Sequence, residues 1–200
     1  MIDPASEVYT SNYKTIKQYV DLLASDGVTR GLIGPREIPR LWDRHILNSA
    51  ALDGLIPSGS RVIDVGSGAG LPGIPLAILR PDLEMTLLEP LLRRSTFLVE
   101  AVEALHLSSV RVIRGRAEDH TEQYDVVTSR ALAPLGRLLG WCNPLRSPGG
   151  VILALKGQSA AEEITTATST LAQLRLRAEI IILRPHPDAD PATVISITGA

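Results

Sequence analysis

The chain has 200 residues, 44% hydrophobic and 21% charged, with a formal net charge of −2 at pH 7. That length suits one domain with at most a small extension, and the composition is that of an ordinary globular chain rather than a fibrous or disordered one. No apolar run approaches the ~18 residues of a membrane span, the single cysteine, Cys142, excludes an internal disulfide framework, and the near-neutral charge leaves any nucleic-acid binding to a local patch.

The start, Met1-Ile2-Asp3-Pro4, has neither the charged nor the apolar region of a secretory signal. With the lone cysteine this makes the cytoplasm the expected compartment. Pro4 to Ala24 reads as one amphipathic helix, with Tyr9, Tyr13, Ile16, Val20 and Leu23 at spacings of three and four. Asp26-Gly27 is expected to stop it. A loop over 28–36 contains Gly31, Gly34 and Pro35, and a second helix is expected from Glu37 to Leu52. Arg36, Arg40 and Arg44 recur every fourth residue and would share one face of that helix, with His45 beside them. Such a stripe reads either as a solvated face or as a set of phosphate contacts. These helices, residues 1–57, are read as a cap packed beside the sheet of a domain spanning 58–200, one structural unit overall.

After Pro57-Ser58-Gly59-Ser60 the pattern becomes strand–helix alternation, the sign of a parallel sheet. Arg61–Val65 is the first strand, and Gly66-Ser67-Gly68-Ala69-Gly70 is a turn tight enough to let the backbone approach a nucleotide. An apolar helix then runs to about Arg80, its N–H groups pointing into the same crevice. Gly68, Gly70 and Gly73 fit the dinucleotide pattern G-x-G-x-x-G, but counted from the strand end the first glycine is Gly66 and Leu71 stands where the third should be. Asp64, followed by Gly66, Gly68 and Gly70, instead resembles the motif with which Rossmann-like methyltransferases bind S-adenosylmethionine (SAM). Met85–Leu88 is the second strand. Glu89 closes it, roughly twenty positions after the turn, where an acid accepts hydrogen bonds from ribose hydroxyls.

A helix over 91–105 carries Arg93 and Arg94 in its first turn, where cations oppose the helix dipole. Val110–Arg114 is strand three. The loop at Ala117-Glu118 is expected over the adenine. Tyr124–Thr128 is strand four, followed by Ser129-Arg130-Ala131-Leu132-Ala133-Pro134, the stretch that faces the methyl group and the substrate. It lacks an Asn/Asp-Pro-Pro-aromatic element for holding an exocyclic amine, and a Pro-Cys for a thiolate. Cys142 lies further on and reads as a buried, inert thiol. Ser147 to Gly150 reads as a turn, Val151–Leu155 as strand five, 159–174 as one helix, and Ile180–Leu183 with Val194–Ile197 as a closing antiparallel hairpin. No histidine has a second ligand at metal-binding spacing, so no metal is expected.

Four stretches together carry a resemblance to one family: Gly66 through Ile78, with its Leu71-Pro72-Gly73-Ile74-Pro75; Arg116-Ala117-Glu118; Thr128-Ser129-Arg130-Ala131; and Ala154-Leu155-Lys156-Gly157. With Arg44-His45-Ile46-Leu47-Asn48-Ser49, they make the chain similar to the ribosomal RNA small subunit methyltransferase G family, also called glucose-inhibited division protein B, over residues 10–200. Two departures stand out: Asn48 replaces the family's aspartate, and Gly31-Leu32-Ile33-Gly34 replaces its Asn-Leu-Thr motif.

The resemblance implies a Rossmann-like class I SAM-dependent methyltransferase: a seven-stranded, mostly parallel sheet with an antiparallel C-terminal strand, plus the helical cap. It implies methyl transfer from SAM to N7 of one guanine of 16S rRNA, position 527 in the usual rRNA numbering, near the decoding site. The cofactor-binding set becomes Asp64, Gly66, Gly68, Gly70, Leu71, Glu89, Ala117, Glu118 and Arg130. The RNA-binding set becomes Arg36, Arg40, Arg44, His45 and Lys156, with Arg130 and Lys156 as positioning candidates. The expected partner is 16S rRNA within the small ribosomal subunit, and the enzyme is expected to act as a monomer. A methyltransferase of another RNA or small molecule, a Rossmann oxidoreductase and a non-catalytic SAM-binding module are the alternatives, since fold alone does not fix function.

Overall fold

The computed structural model describes residues 3–200. Met1 and Ile2, part of the stretch read for a secretory signal, lie outside the described residues. Seven strands form one sheet: β1 (Arg61–Val65), β2 (Glu84–Leu88), β3 (Val110–Ile113), β4 (Tyr124–Arg130), β5 (Arg146–Lys156), β6 (Leu176–Leu183) and β7 (Ala192–Gly199). Their order is β3-β2-β1-β4-β5-β7-β6. Strands β1 to β5 pair in parallel, and β7 runs antiparallel to both of its neighbours. The order reverses between β1 and β4, and a ligand crevice belongs outside their carboxyl ends.

Both faces are covered, as a parallel sheet requires. Alternation along β1 sends Val62 to one apolar cluster and Ile63 to the other. On the first face pack α1 (Pro4–Tyr9), α2 (Tyr13–Leu22), the short α3 (Asn48–Ala50), α4 (Gly73–Leu79) and α5 (Leu92–Ala104). On the second pack α6 (Leu135–Cys142), α7 (Ala160–Thr166) and α8 (Thr168–Leu174). Tyr9, Ile16, Tyr19, Leu23, Leu41 and Ile46 of the N-terminal region share one cluster with Val62, Ile74, Met85 and Phe97. The region read as a cap is thus a layer of the main core.

Several element boundaries differ from the sequence expectation. The first long helix is two: Thr10 takes φ 39° and a 3-10 turn over Thr10–Asn12 interrupts it. The break lets Asn12 Nδ2 donate to the Ile78 carbonyl at the end of α4, 2.8 Å away. Asp26-Gly27 does not stop the chain's winding, which widens to a π-turn over Leu23–Gly27 and runs on into Val28. The expected second helix is 3-10 over Pro35–Arg40 and π-helical over Leu41–Leu47, because Pro39 has no N–H to give to an α-helical bond. The helix over 159–174 breaks at Ala167. Residues 147–150, expected as a turn, lie within β5, where the register against β4 jumps between Tyr124 and Val126.

Candidate functional site

The site is built first from backbone. Past β1 the chain turns on Gly66, Gly68 and Gly70, at φ 71°, 59° and 99°, a region side chains avoid. Space forbids a side chain as well: a Cβ on Gly66 would lie 2.5 Å from Leu132 Cδ1, and one on Gly70 2.5 Å from Ile74 Cδ1. Gly73, in the first turn of α4, lets that helix close on β2, since its Cβ would fall 2.3 Å from Leu87 Cδ2.

Two carboxylates hold the turn in place. Glu89, 1% exposed, accepts from the Gly68 N–H through Oε2 and from the Leu91 N–H through Oε1, each at 2.9 Å. Asp64, fully buried, accepts from the Gly73 N–H at 3.1 Å through Oδ2. Burial pushes the Asp64 carboxyl up to about 7, because the charged form loses its hydration. From the opposite side, the buried Tyr19 hydroxyl donates to the Ala69 carbonyl at 2.7 Å. Among the described residues, the buried side-chain polar atoms without a partner are Asp64 Oδ1 and Ser129 Oγ. They belong to the adjacent strand ends β1 and β4, and orphaned buried groups of this kind call for a ligand or a functional explanation.

Two cavities meet at Gly66. One, about 290 Å³, has largely apolar walls that include Leu88, Pro90, Leu132 and Trp141, with Ala117 and Glu118 of a 3-10 turn at its edge. The other, about 340 Å³, is lined by Ser67, Gly68, Leu71, Glu37, His45 and Arg130. An apolar slot for a base beside a polar one for an amino-acid group fits SAM. Leu132 stands in the substrate-facing stretch of the sequence, but nothing in the sequence pattern marked Trp141, which reaches the slot from α6.

A third cavity, about 720 Å³, is lined by Arg44, Asn48, Arg130, Ala131, Lys156 and Glu163, among others. It shares Arg44, Arg130 and Ala131 with the polar donor-side cavity, so a group passing between the two passes these residues. Ala131 has φ 51°, a strained value for a residue with a Cβ. The strained residue thus sits where the two cavities join.

Around this junction the side chains form two half-buried chains of contacts. In the first, Arg130 Nη2 donates to His45 Nδ1, Nη1 donates to the Arg44 carbonyl at 3.4 Å, and His45 Nε2 meets Glu37 Oε2 at 2.8 Å. A guanidinium only donates, so His45 Nδ1 must be the bare acceptor and Nε2 must carry the proton it gives to Glu37. Burial and the Arg130 charge hold the His45 pKa below its ordinary value. The hydrogen bond from His45 holds that of Glu37 low as well. In the second chain, Lys156 Nζ donates to the Ala133 carbonyl and to Glu163 Oε2, both at 2.7 Å, and that oxygen also accepts the Leu135 N–H at 2.9 Å. These contacts tie residues 131–134 to the end of β5.

The residues expected to touch RNA therefore separate. His45 is 6% exposed and the Lys156 side chain 8%; both His45 ring nitrogens have protein partners, and Lys156 has two. Their geometry is that of groups that orient others rather than of phosphate ligands. Arg36, Arg40 and Arg44 are exposed, as expected. Arg36 and Arg40 do not share an α-helical face, because in the 3-10 segment four residues turn the chain by ~120° beyond a full circle instead of ~40°, and Arg44 follows in the π-helical segment. Arg44 also lies 3.6 Å from Glu37. Arg94, in α5's first turn, finds Glu89 at 3.9 Å. Cys142 is fully buried in α6, and burial pushes its thiol up to about 12. Among the described residues no group of three or more His, Cys, Asp and Glu could hold a metal, and no helix is long and apolar enough to cross a membrane.

A family model described as rRNA small subunit methyltransferase G matches residues 12–183. A ribosomal RNA small subunit methyltransferase G of Thermobifida fusca is 53% identical over 195 residues, covering 96% of this chain and 82% of the relative. The protein of that name in a Nocardioides species is 58% identical over 174 residues, covering 86% and 70%. Among solved structures, a ribosomal protein L11 methylase from Lactobacillus delbrueckii superposes with TM-score 0.61 at 16% identity, over 76% of this chain and 77% of that one. At that identity the likeness speaks for the fold.

Proposed function

Because the chain belongs to the rRNA small subunit methyltransferase G family and is a SAM-dependent rRNA methyltransferase, we propose that it methylates N7 of a guanine of 16S rRNA, at the position the sequence resemblance implies. The observation that carries the choice of N7 is the junction of the cavities. The residues common to both cavities, Arg44, Arg130 and Ala131, have no side chain that can accept a proton, while Glu163, Glu37 and His45 each line one cavity only and are held by protein partners. Guanine N7 has an available lone pair and carries no proton at neutral pH, so its attack on carbon needs no base. An exocyclic amine or a carbon acceptor would need one.

Bound in the two donor-side cavities, SAM supplies a methyl group activated on a sulfonium. The Gly66–Gly70 turn, Leu71, Asp64 and Glu89 would hold the donor. The Glu89 oxygens each retain a lone pair beside their backbone bonds for ribose hydroxyls, and Ala117 and Glu118 would border the base. Arg130 would orient both partners at the junction, itself oriented by His45 and Glu37, while Lys156 fixes the loop that carries Ala131. The protein's contribution is positioning, which can supply several kcal/mol. Arg36, Arg40 and Arg44 would meet phosphates of the small subunit's rRNA, which in bacteria places the enzyme in the cytoplasm.

A substrate with 7-deazaguanine at the target decides the reading, since carbon replaces the nucleophile. It should accept no methyl, and Cys142→Ala should turn over at near wild-type rate on the normal substrate. Label transferred to the deaza base would show that another atom is the acceptor.

A further inference from the structure

Adenine also has an N7 lone pair, so nucleophilicity alone does not select guanine, and the cavity that receives the base must read another edge. We propose that Glu163 is the specificity-determining residue, accepting from guanine N1–H, with Lys156 beside it donating to O6. This inference rests on guanine N7 being the acceptor. Of the charged side chains lining the 720 Å³ cavity, Arg44, Arg130 and Lys156 are cations and Glu163 is the single carboxylate. Cations only donate. They can serve O6 but not N1–H, and among the cavity's side chains the charged acceptor is Glu163, beside the neutral Asn48 amide and Ser159 hydroxyl.

The local geometry supplies the complementary pair. Lys156 Nζ lies 2.7 Å from Glu163 Oε2. Of the three ammonium hydrogens, one goes to Glu163 and one to the Ala133 carbonyl, which leaves one. Glu163 Oε2 already takes Lys156 and the Leu135 N–H, whereas Oε1 has only a long contact from Ser159 Oγ at 3.3 Å. The cavity wall therefore presents one spare donor next to one spare acceptor. Around the guanine ring from N7 come O6, an acceptor, then N1–H, a donor. With N7 at the Arg130–Ala131 junction, the next two groups match Lys156 and Glu163 in that order. Adenine offers an amino donor and then a bare N1, opposing both. The other carboxylate near the junction, Glu37, lines the donor-side cavity and is bound to His45.

Small subunits lacking the methyl group, carrying either guanine or adenine at the target position, separate this role from that of a counter-ion. The measurement is kcat/KM for labelled methyl transfer by wild type and Glu163→Gln, with S-adenosylhomocysteine affinity as a check on folding. Glu163→Gln should lose at least about tenfold on guanine. It should gain on adenine, whose bare N1 can take the amide N–H, so that the guanine-to-adenine ratio collapses. Losses that leave the ratio at its wild-type value would show that Glu163 only neutralises Lys156 and caps α6. Glu163→Asp tests the converse: it keeps the acceptor and must keep the preference for guanine, and a variant that accepts adenine would overturn the assignment even if Glu163→Gln fails to fold. A wild-type enzyme that labels no guanine N7 would instead bring down the proposed function itself.

Discussion

The two sides of the site are built from different materials. The donor side is backbone, a turn of glycines braced by Glu89, Asp64 and Tyr19 through bonds to main-chain groups. The junction and the acceptor cavity are made of side chains gripping side chains, Glu37 to His45 to Arg130 at the junction and Glu163 to Lys156 in the cavity. The first design suits a ligand whose shape does not vary. The second places charged donors and a carboxylate at chosen points for a base that must be told from others. Lesions on the two sides should therefore separate cleanly in binding and turnover.

The largest effect belongs to the donor side. Glu89→Ala leaves the Gly68 and Leu91 N–H groups without their acceptor and removes the two oxygens proposed for the ribose hydroxyls, and at about 1–3 kcal/mol for such losses S-adenosylhomocysteine affinity should fall on the order of a hundredfold by calorimetry. RNA affinity should stay close to wild type. Tight binding retained in this variant, or binding of NAD in place of SAM by the wild type, would undo the assignment of the donor side.

At the junction the histidine relay predicts a pH signature. Protonating His45 puts a proton on Nδ1 facing the Arg130 guanidinium, so turnover should fall on the acid side. Arg130 and Arg44 oppose that proton and Glu37 favours it. Glu37→Gln removes the favourable charge, lowers the His45 pKa further and should move the acid limb to lower pH. With the ring less firmly held, kcat should also drop about tenfold while S-adenosylhomocysteine affinity holds. The sign for stability runs the same way: a histidine whose folded pKa is depressed costs stability once pH falls below its unfolded value of ~6.5. A pH–rate profile unchanged in Glu37→Gln would reduce the relay to packing.

The smallest effect is expected of the exposed arginines. Changing Arg36, Arg40 and Arg44 together to alanine should weaken subunit binding and flatten its salt dependence by about one log–log unit per lost phosphate contact. An unaltered slope in a folded variant would make them solvent-facing charges only.

The sheet, its parallel pairing and the glycine turn were readable in the sequence because they depend on neighbours. A short apolar run bounded by turn residues marks a strand buried on both faces, and glycines sit where φ must be positive. The place of Glu89 at the end of β2 was readable too, since its distance from the turn is fixed by one helix and one strand. The helix breaks at Thr10 and Pro39 were less legible, because each depends on what the freed backbone meets. Asn12 finds the Ile78 carbonyl only once α4 is packed beside it.

What local pattern could not reveal is which side chains meet across the chain. His45 looked like one more cation on a basic stripe; tertiary packing buries it between Glu37 and an arginine eighty-five residues away. Lys156 looked like a phosphate ligand until the return of the chain through α7 brought Glu163 to its ammonium. Sequence alone determined that this chain makes a nucleotide crevice at the end of β1, since strand, turn and helix are contiguous there. Only the tertiary structure decided what stands across that crevice, because charges distant in sequence share a low-dielectric pocket, and orient one another, only after the core has closed.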